Sequence, residues 1–198
     1  MRNAKVKITR LRPVNDVDDA SVVTGIQEGD RQAMETLYHR YVHRITGIAA
    51  KLLRNSADIE DVVQDTFIQA FRDIAHLKDP HRVERWLARI AVHRAHHRFR
   101  RRKLKRTLGL DRSFDDERLT VQAGIAASQE AHAEISLLDE VFDTMRMTDR
   151  TCFVLRFMEG YLLEEVAAIA GCSLATAKRR IARAKDIVDQ HFKEELHG

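Results

Sequence analysis

Proline and glycine are scarce in this 198-residue chain, two and eight residues respectively, and cysteine is scarcer than its length would allow. Cys152 and Cys172 stand alone, far from any CxxC spacing, so neither a disulfide framework nor a zinc site is suggested, and free thiols suit a reducing cytosol. The basic segment Met1 to Pro13 lacks the apolar stretch of a secretion signal, and no apolar run approaches the length of a bilayer crossing. A soluble, cytoplasmic protein with no membrane span is expected. Internal repeats and low-complexity tracts are missing too, and no stretch shows the alternation of a strand. What remains is apolar residues recurring at helical spacing almost everywhere, so the fold class is all-α.

Charge of one sign is the next feature, and the formal net charge of +4 understates it because the charges are segregated. From Arg82 to Arg106 the chain carries Arg82, Arg85, Arg89, Arg94, Arg98, Arg100, Arg101, Arg102, Lys103, Lys105 and Arg106 against a single acid, Glu84. Just before it lies the acidic amphipathic segment S-A-D-I-E-D-V-V-Q-D-T-F-I-Q-A-F, and a second acidic span runs from Asp111 to Asp149. Basic blocks on either side of an acidic middle point to polyanion binding at two places. Anionic lipid fits less well than nucleic acid, since Trp86, Leu87, Ile90 and Phe99 are interrupted by arginines as in a half-buried helix.

The size and the 44% hydrophobic content allow one core or two small ones, and the pattern favours two small helical domains joined by a linker. The expected division is 15–106, a linker over 107–133, and 134–195. Helices are expected from Asp19 to Glu28, from Arg31 to Arg54 after the Gly29-Asp30 stop, from Ala57 to His76 after Asn55 and Ser56, and from Asp79-Pro80 to about Arg102. In the acidic segment Ile59, Val63, Phe67, Ala70 and Ile74 make the buried stripe, leaving Asp58, Asp61, Asp65 and Arg72 outside with Glu60 and Gln64 beside them. A plainly solvated face, its early acids complementing the helix N-terminus, and a docking face are equally compatible with that pattern. Farther on, Ile135, Leu138, Val141, Phe142 and Met145 share a face, and Thr148 is the expected cap of the next helix.

Residues Tyr161 to Lys185 have helix-turn-helix character. Leu163, Val166, Ala167 and Ala170 form one short face, Gly171-Cys172 supplies a tight turn in which glycine takes positive φ without steric cost, and Ser173 caps a second helix. There Leu174, Ala177, Ile181 and Ala184 face inward, while Thr176, Lys178, Arg179, Arg180, Arg183 and Lys185 are left for solvent or DNA. Small polar residues early and cations throughout suit a major groove and its phosphates, although a solvated αα-hairpin shares the pattern.

Taken together these stretches resemble the small extracytoplasmic-function (ECF) sigma factors of the sigma-70 superfamily. G-D-R-Q-A, L-Y-H-R-Y, A-D-I-E-D-V-V-Q-D-T-F and W-L-A-R-I-A with the arginine run look like sigma region 2. M-R-M-T-D-R-T-C-F-V-L-R-F-M-E-G-Y with the helix-turn-helix looks like region 4. The resemblance implies a non-enzymatic factor that directs bacterial core RNA polymerase to promoters, without cofactor or metal. Asp58, Asp61, Gln64 and Asp65 match the surface that docks on the polymerase, whose β′ and β subunits are the implied partners. Arg82, Arg85, Arg89, His93, His97, Arg98 and Arg101 match the element that grips minus-ten promoter DNA and captures the unstacked strand, which needs cations for phosphates. Ser173, Thr176, Lys178, Arg179, Arg180, Arg183 and Lys185 match the reader of the minus-thirty-five element. The resemblance also suggests an anti-sigma factor as a regulatory partner, although some members are controlled otherwise.

This chain departs from the family at two places. His93 and His97 stand where an Asn and an Asp are usual, which is expected to alter minus-ten choice and to strengthen strand capture as pH falls from about 8 to 6. Leu162 replaces the usual Ser or Thr cap of the first helix of the helix-turn-helix, an expected local loss on the order of 1 kcal/mol. Trp86 is expected as a core anchor rather than a base-stacking residue, because Leu87 and Ile90 share its face. Two other readings compete: a metal-dependent hydrolase using His93, His96 and His97 at i, i+3 and i+4, and a stand-alone helix-turn-helix regulator, which leaves the acidic helix and the basic tract unexplained.

Overall fold

The computed structural model of the chain describes residues 18–108 and 141–195, and every regular element among them is helical. The order is α1 (Asp19–Gln27), α2 (Arg31–Leu52), α3 (Ser56–Asp73), α4 (Val83–Thr107), α5 (Met147–Phe153), α6 (Leu163–Ile169) and α7 (Leu174–Glu195). The expected linker falls almost wholly outside the described residues, as do Ile135 and Leu138.

Local chemistry starts and stops these helices where the sequence indicates. The orphan N–H groups of the first turns are met by side chains: Asp18 accepts from the Ser21 N–H at 2.7 Å, Asp30 from Gln32 at 2.8 Å, Asn55 from Asp58 at 3.1 Å and Asp79 from His81 at 3.1 Å. Gly29, at φ 89°, breaks α1 from α2. The segment expected to run to His76 is α3 followed by a tighter 3-10 turn, Ile74–His76. Pro80 opens a 3-10 turn that leads into α4, and α4 continues past Arg102 to Thr107 because Lys103, Leu104, Lys105 and Arg106 favour helix and no breaker precedes Gly109.

Helices α1 to α4 enclose Val23, Leu37, Ile45, Ile48, Leu52, Val62, Val83 and Leu87, and the expected α3 stripe of Ile59, Val63, Phe67, Ala70 and Ile74 is buried among them. Trp86 packs against this core while remaining partly exposed. In the second group Val141, Phe142 and Met145 are buried with Cys152, Val154, Leu155, Tyr161, Val166, Ala177 and Ala184. Thr148 is not the cap of α5. The helix begins one residue earlier, where the Arg146 carbonyl already accepts from Asp149 and Arg150, so Thr148 lies inside the first turn. A π-helical turn, Val154–Met158, extends α5. The buried residues of the two groups adjoin in one apolar cluster.

Candidate polymerase and nucleic-acid interfaces

The acids of α3 differ in their freedom. Asp61, Gln64 and Asp65 are exposed along one strip, with Ile68 a turn farther on. Asp58 lies at the edge of that strip with only 18% of its side chain accessible, held by Arg102 at 3.1 Å and Arg98 at 3.5 Å. Arg98 also pairs with Asp61. Of the four expected docking residues, then, Asp58 is committed to the α4 arginines, Asp61 is shared with them, and Gln64 and Asp65 face outward.

Helix α4 sorts its cations by register, since side chains four apart lie on one face. Leu87, Ala91 and Ala95 point into the core. Arg94, Arg98 and Arg102 bind α3: Arg94 Nε donates to Gln69 Oε1 at 3.0 Å, and the other two meet Asp58 and Asp61. Arg89, His93, His97 and Arg101 form the exposed stripe, with Arg82 exposed ahead of it. Arg85 and His96 turn toward the second helical group. Arg85 Nη1 lies 2.7 Å from Glu165 of α6, and His96 Nε2 lies 2.8 Å from Thr151 Oγ1. Because the Thr151 hydroxyl donates to the Met147 carbonyl, His96 is the donor of that bond. Burial, then Arg100, Arg180 and His93, pulls the His96 imidazole down to about 4. His96 thus leaves the face of His93 and His97, and among the described residues no cluster of three His, Cys, Asp or Glu side chains is placed to hold a metal ion.

In the second group the expected turn forms at Gly171, φ 63°, and Ser173 Oγ accepts from the Thr176 N–H at 3.2 Å to start α7. Lys178, Arg179 and Lys185 are exposed on α7, and Thr176 and Arg180 are half-buried. Arg183 is spoken for, because its Nη2 donates at 3.0 Å to Asp149, whose side chain is 3% exposed. Cys152, beneath α7, is buried, and that burial pushes its thiol up to about 11. Leu162 offers no cap, yet the Glu165 carboxylate reaches back to its N–H at 2.8 Å, supplying the return half of a capping box.

Residues that pattern reading passes over join the two groups. Glu159, on the turn after the π-helix, receives Lys51 Nζ at 2.7 Å, and its backbone carbonyl accepts from Arg44 Nη2 at 3.0 Å. Arg44 also lies over the Tyr161 ring, 5.0 Å from its centre, and pairs with Glu84 at 3.1 Å. No periodic signal marks these residues, since Glu159 and Lys51 are over a hundred positions apart. No described helix is long and apolar enough to cross a membrane.

Comparison with known proteins matches residues 37–105 to sigma-70 region 2 and residues 135–187 to sigma-70 region 4. The RNA polymerase sigma-H factor of Pseudomonas aeruginosa is 27% identical over 87% of this chain and 92% of its own length. The ECF RNA polymerase sigma-E factor of Haemophilus influenzae is 29% identical over 86% of this chain and 93% of its own. Among solved structures, CnrH in complex with the cytosolic domain of CnrY superposes with a TM-score of 0.66 at 21% identity, covering 89% of this chain and 97% of that one. The sigma factor RpoE of Bartonella quintana, bound to the anti-sigma factor NepR, gives 0.62 at 21% over 80% and 96%. These two share the fold. With regions 2 and 4 in order along one helical chain, and relatives of that kind over most of its length, the chain belongs to the extracytoplasmic-function sigma factors of the sigma-70 superfamily, the non-enzymatic RNA polymerase subunits that recognise promoters.

Proposed function

We propose that this sigma factor works in the cytoplasm by docking the α3 strip on the polymerase β′ subunit, with β as a second contact, while α4 captures minus-ten DNA and α7 reads the minus-thirty-five element. Its functional division follows 15–106 for region 2, 107–133 for the linker and 134–195 for region 4. The observation that carries this is the adjacency of two unlike surfaces in region 2: the outward acids Asp61 and Asp65 on α3, and the outward stripe Arg89, His93, His97 and Arg101 on α4. An acidic face suits a basic protein partner and a cationic stripe suits a displaced strand, and the two meet along one helix pair.

Arg82, Arg89 and Arg101 contact phosphates in this reading. His93 and His97 lie among them, and strand phosphates favour their charged form, so capture strengthens as pH falls from about 8 to 6. Arg85 reaches DNA only by leaving Glu165, and Arg98 only by leaving Asp58 and Asp61. In region 4, Lys178, Arg179 and Lys185 meet the DNA directly, with Ser173, Thr176 and Arg180 at the edges of the contact. An anti-sigma factor is the natural regulatory partner, given that a structural neighbour was solved with one.

Core polymerase reconstituted with the full chain tests this. Asp65→Lys should weaken core binding at least tenfold with helical circular dichroism unchanged. Asp65 is a cleaner probe than Asp61, whose replacement also disturbs Arg98. Unchanged core affinity of the folded variant would remove α3 as the docking face. On a minus-ten promoter library, His93→Asn with His97→Asp should change the base preference and flatten the pH profile. A stand-alone operator-binding regulator would not retain core polymerase in a pull-down.

A further inference from the structure

The cations of α7 are not held alike. Lys178, Arg179 and Lys185 are exposed and have no ion pair among the described residues, whereas Arg183 Nη2 donates at 3.0 Å to Asp149 Oδ1 of α5. The two ends of that bond differ sharply in burial: 46% of the Arg183 side chain is accessible and only 3% of the Asp149 side chain. Helices α5 and α7 pack together, and the inward residues Ala177 and Ala184 of α7 are small and fully buried, so a side chain as short as aspartate spans the gap. Asp149 is itself anchored in the first turn of α5, where its N–H donates to the Arg146 carbonyl at 2.9 Å and the neighbouring Arg150 and Thr151 are buried. The whole arrangement lies within the second helical group.

We infer that Asp149 is a positioning residue for promoter recognition, holding Arg183 as a fixed reader of a guanine edge in the minus-thirty-five element. This rests on the functional reading of α7 above and names how one of its contacts gains specificity. Arg183 shares a face of α7 with Thr176 and Arg179, so DNA that meets those residues meets it as well. Its Nη2 carries two N–H groups and Asp149 occupies one, which leaves the guanidinium a further pair of donors for the O6 and N7 acceptors of guanine. A buried carboxylate cannot follow its partner into water, and leaving it unpaired is unfavourable, so Arg183 does not swing toward whichever phosphate is nearest. The pair is also close to neutral as a unit and adds little to the sequence-independent attraction that counterion release provides. What it offers is direction: donors ordered before DNA arrives lose less conformational freedom on binding. Lys178, Arg179 and Lys185, without such a hold, are left to supply the attraction to phosphates.

Core polymerase reconstituted with the full chain, bound to a minus-thirty-five promoter library and to random duplex across a salt series, tests this. Asp149→Asn keeps the size of the side chain and an acceptor oxygen but removes the charge. It should lower the guanine preference at the contacted position about tenfold. Affinity for random duplex should rise several-fold, and the slope of log affinity against log salt should steepen by about one. Arg183→Lys keeps the ion pair but has no planar fork, so it should lose the same preference with no rise in random-duplex affinity. A purely structural role would instead lower specific and random binding together and leave the base preference as it was. Unchanged base preference and salt slope in Asp149→Asn would overturn the positioning role, and so would a preference lost in Arg183→Lys but intact in Asp149→Asn. Should Asp149→Asn lose its helical circular dichroism, Asp149→Glu decides, since it keeps the charge and displaces the carboxylate by one methylene. A weakened guanine preference at the wild-type salt slope is expected of it, and a wild-type preference would overturn the role. A wild-type holoenzyme with no base preference anywhere in the minus-thirty-five element would defeat the reading of DNA by α7 itself.

Discussion

Replacing Arg183 with alanine would leave the buried Asp149 carboxylate without its cation. A buried acceptor stripped of its charged donor costs roughly 1–3 kcal/mol, so Arg183→Ala should lower the denaturant midpoint of unfolding. Lys178→Ala, at an exposed position of the same helix, should stay within about 0.5 kcal/mol of wild type and weaken DNA binding alone. Equal stability of the two variants would show that Asp149 finds another partner. His96 is the second residue whose environment predicts a measurement. Thr151 accepts from it, and Arg100, Arg180 and His93 surround it, with burial the first cause of its depressed value of about 4. The packed state therefore favours neutral His96. Its contribution is complete above about 6.5, the unpacked value, and is lost as pH falls through about 4. Urea midpoints taken between pH 7 and pH 4 should fall more steeply for wild type than for His96→Asn, and parallel slopes would remove His96 as the cause.

At the scale of the element, α4 shows how one run of cations acquires several roles. A 3.6-residue period distributes neighbouring arginines around the helix, so Arg94, Arg98 and Arg102 fasten it to α3 while Arg89, His93, His97 and Arg101 stay outside. The first helix of the helix-turn-helix makes a different point about local rules. Leu162 is 61% exposed and offers no acceptor, yet Glu165 satisfies its N–H. Leu162→Ser should supply the missing forward half of the capping box without emptying the core, raising stability by about 0.5–1 kcal/mol in thermal or denaturant unfolding. No gain would mean that the Glu165 return bond already saturates the benefit of capping.

For the whole molecule, the segregated charge of the sequence becomes contact between the two halves as well as surface for partners. Arg44, Lys51 and Arg85 of the first group meet Glu159 and Glu165 of the second, and Arg54 meets Asp143. What the sequence by itself determined is everything governed by near neighbours. The helices, their Asp and Asn caps, the apolar stripe of α3 and the Gly171 turn follow from spacing and backbone preference, which act over a few residues, and the ordered motifs of regions 2 and 4 mark the family. Only the tertiary structure decided which charged residues remain available to a partner. Asp58, Arg85, Arg98 and Arg183 read in the sequence as free surface, yet each meets an opposite charge 34 to 80 positions away. Periodicity places a side chain on a face of its own helix, but which other helix covers that face depends on long-range packing, because ion pairs form between groups that the fold brings within a few ångströms whatever their separation along the chain.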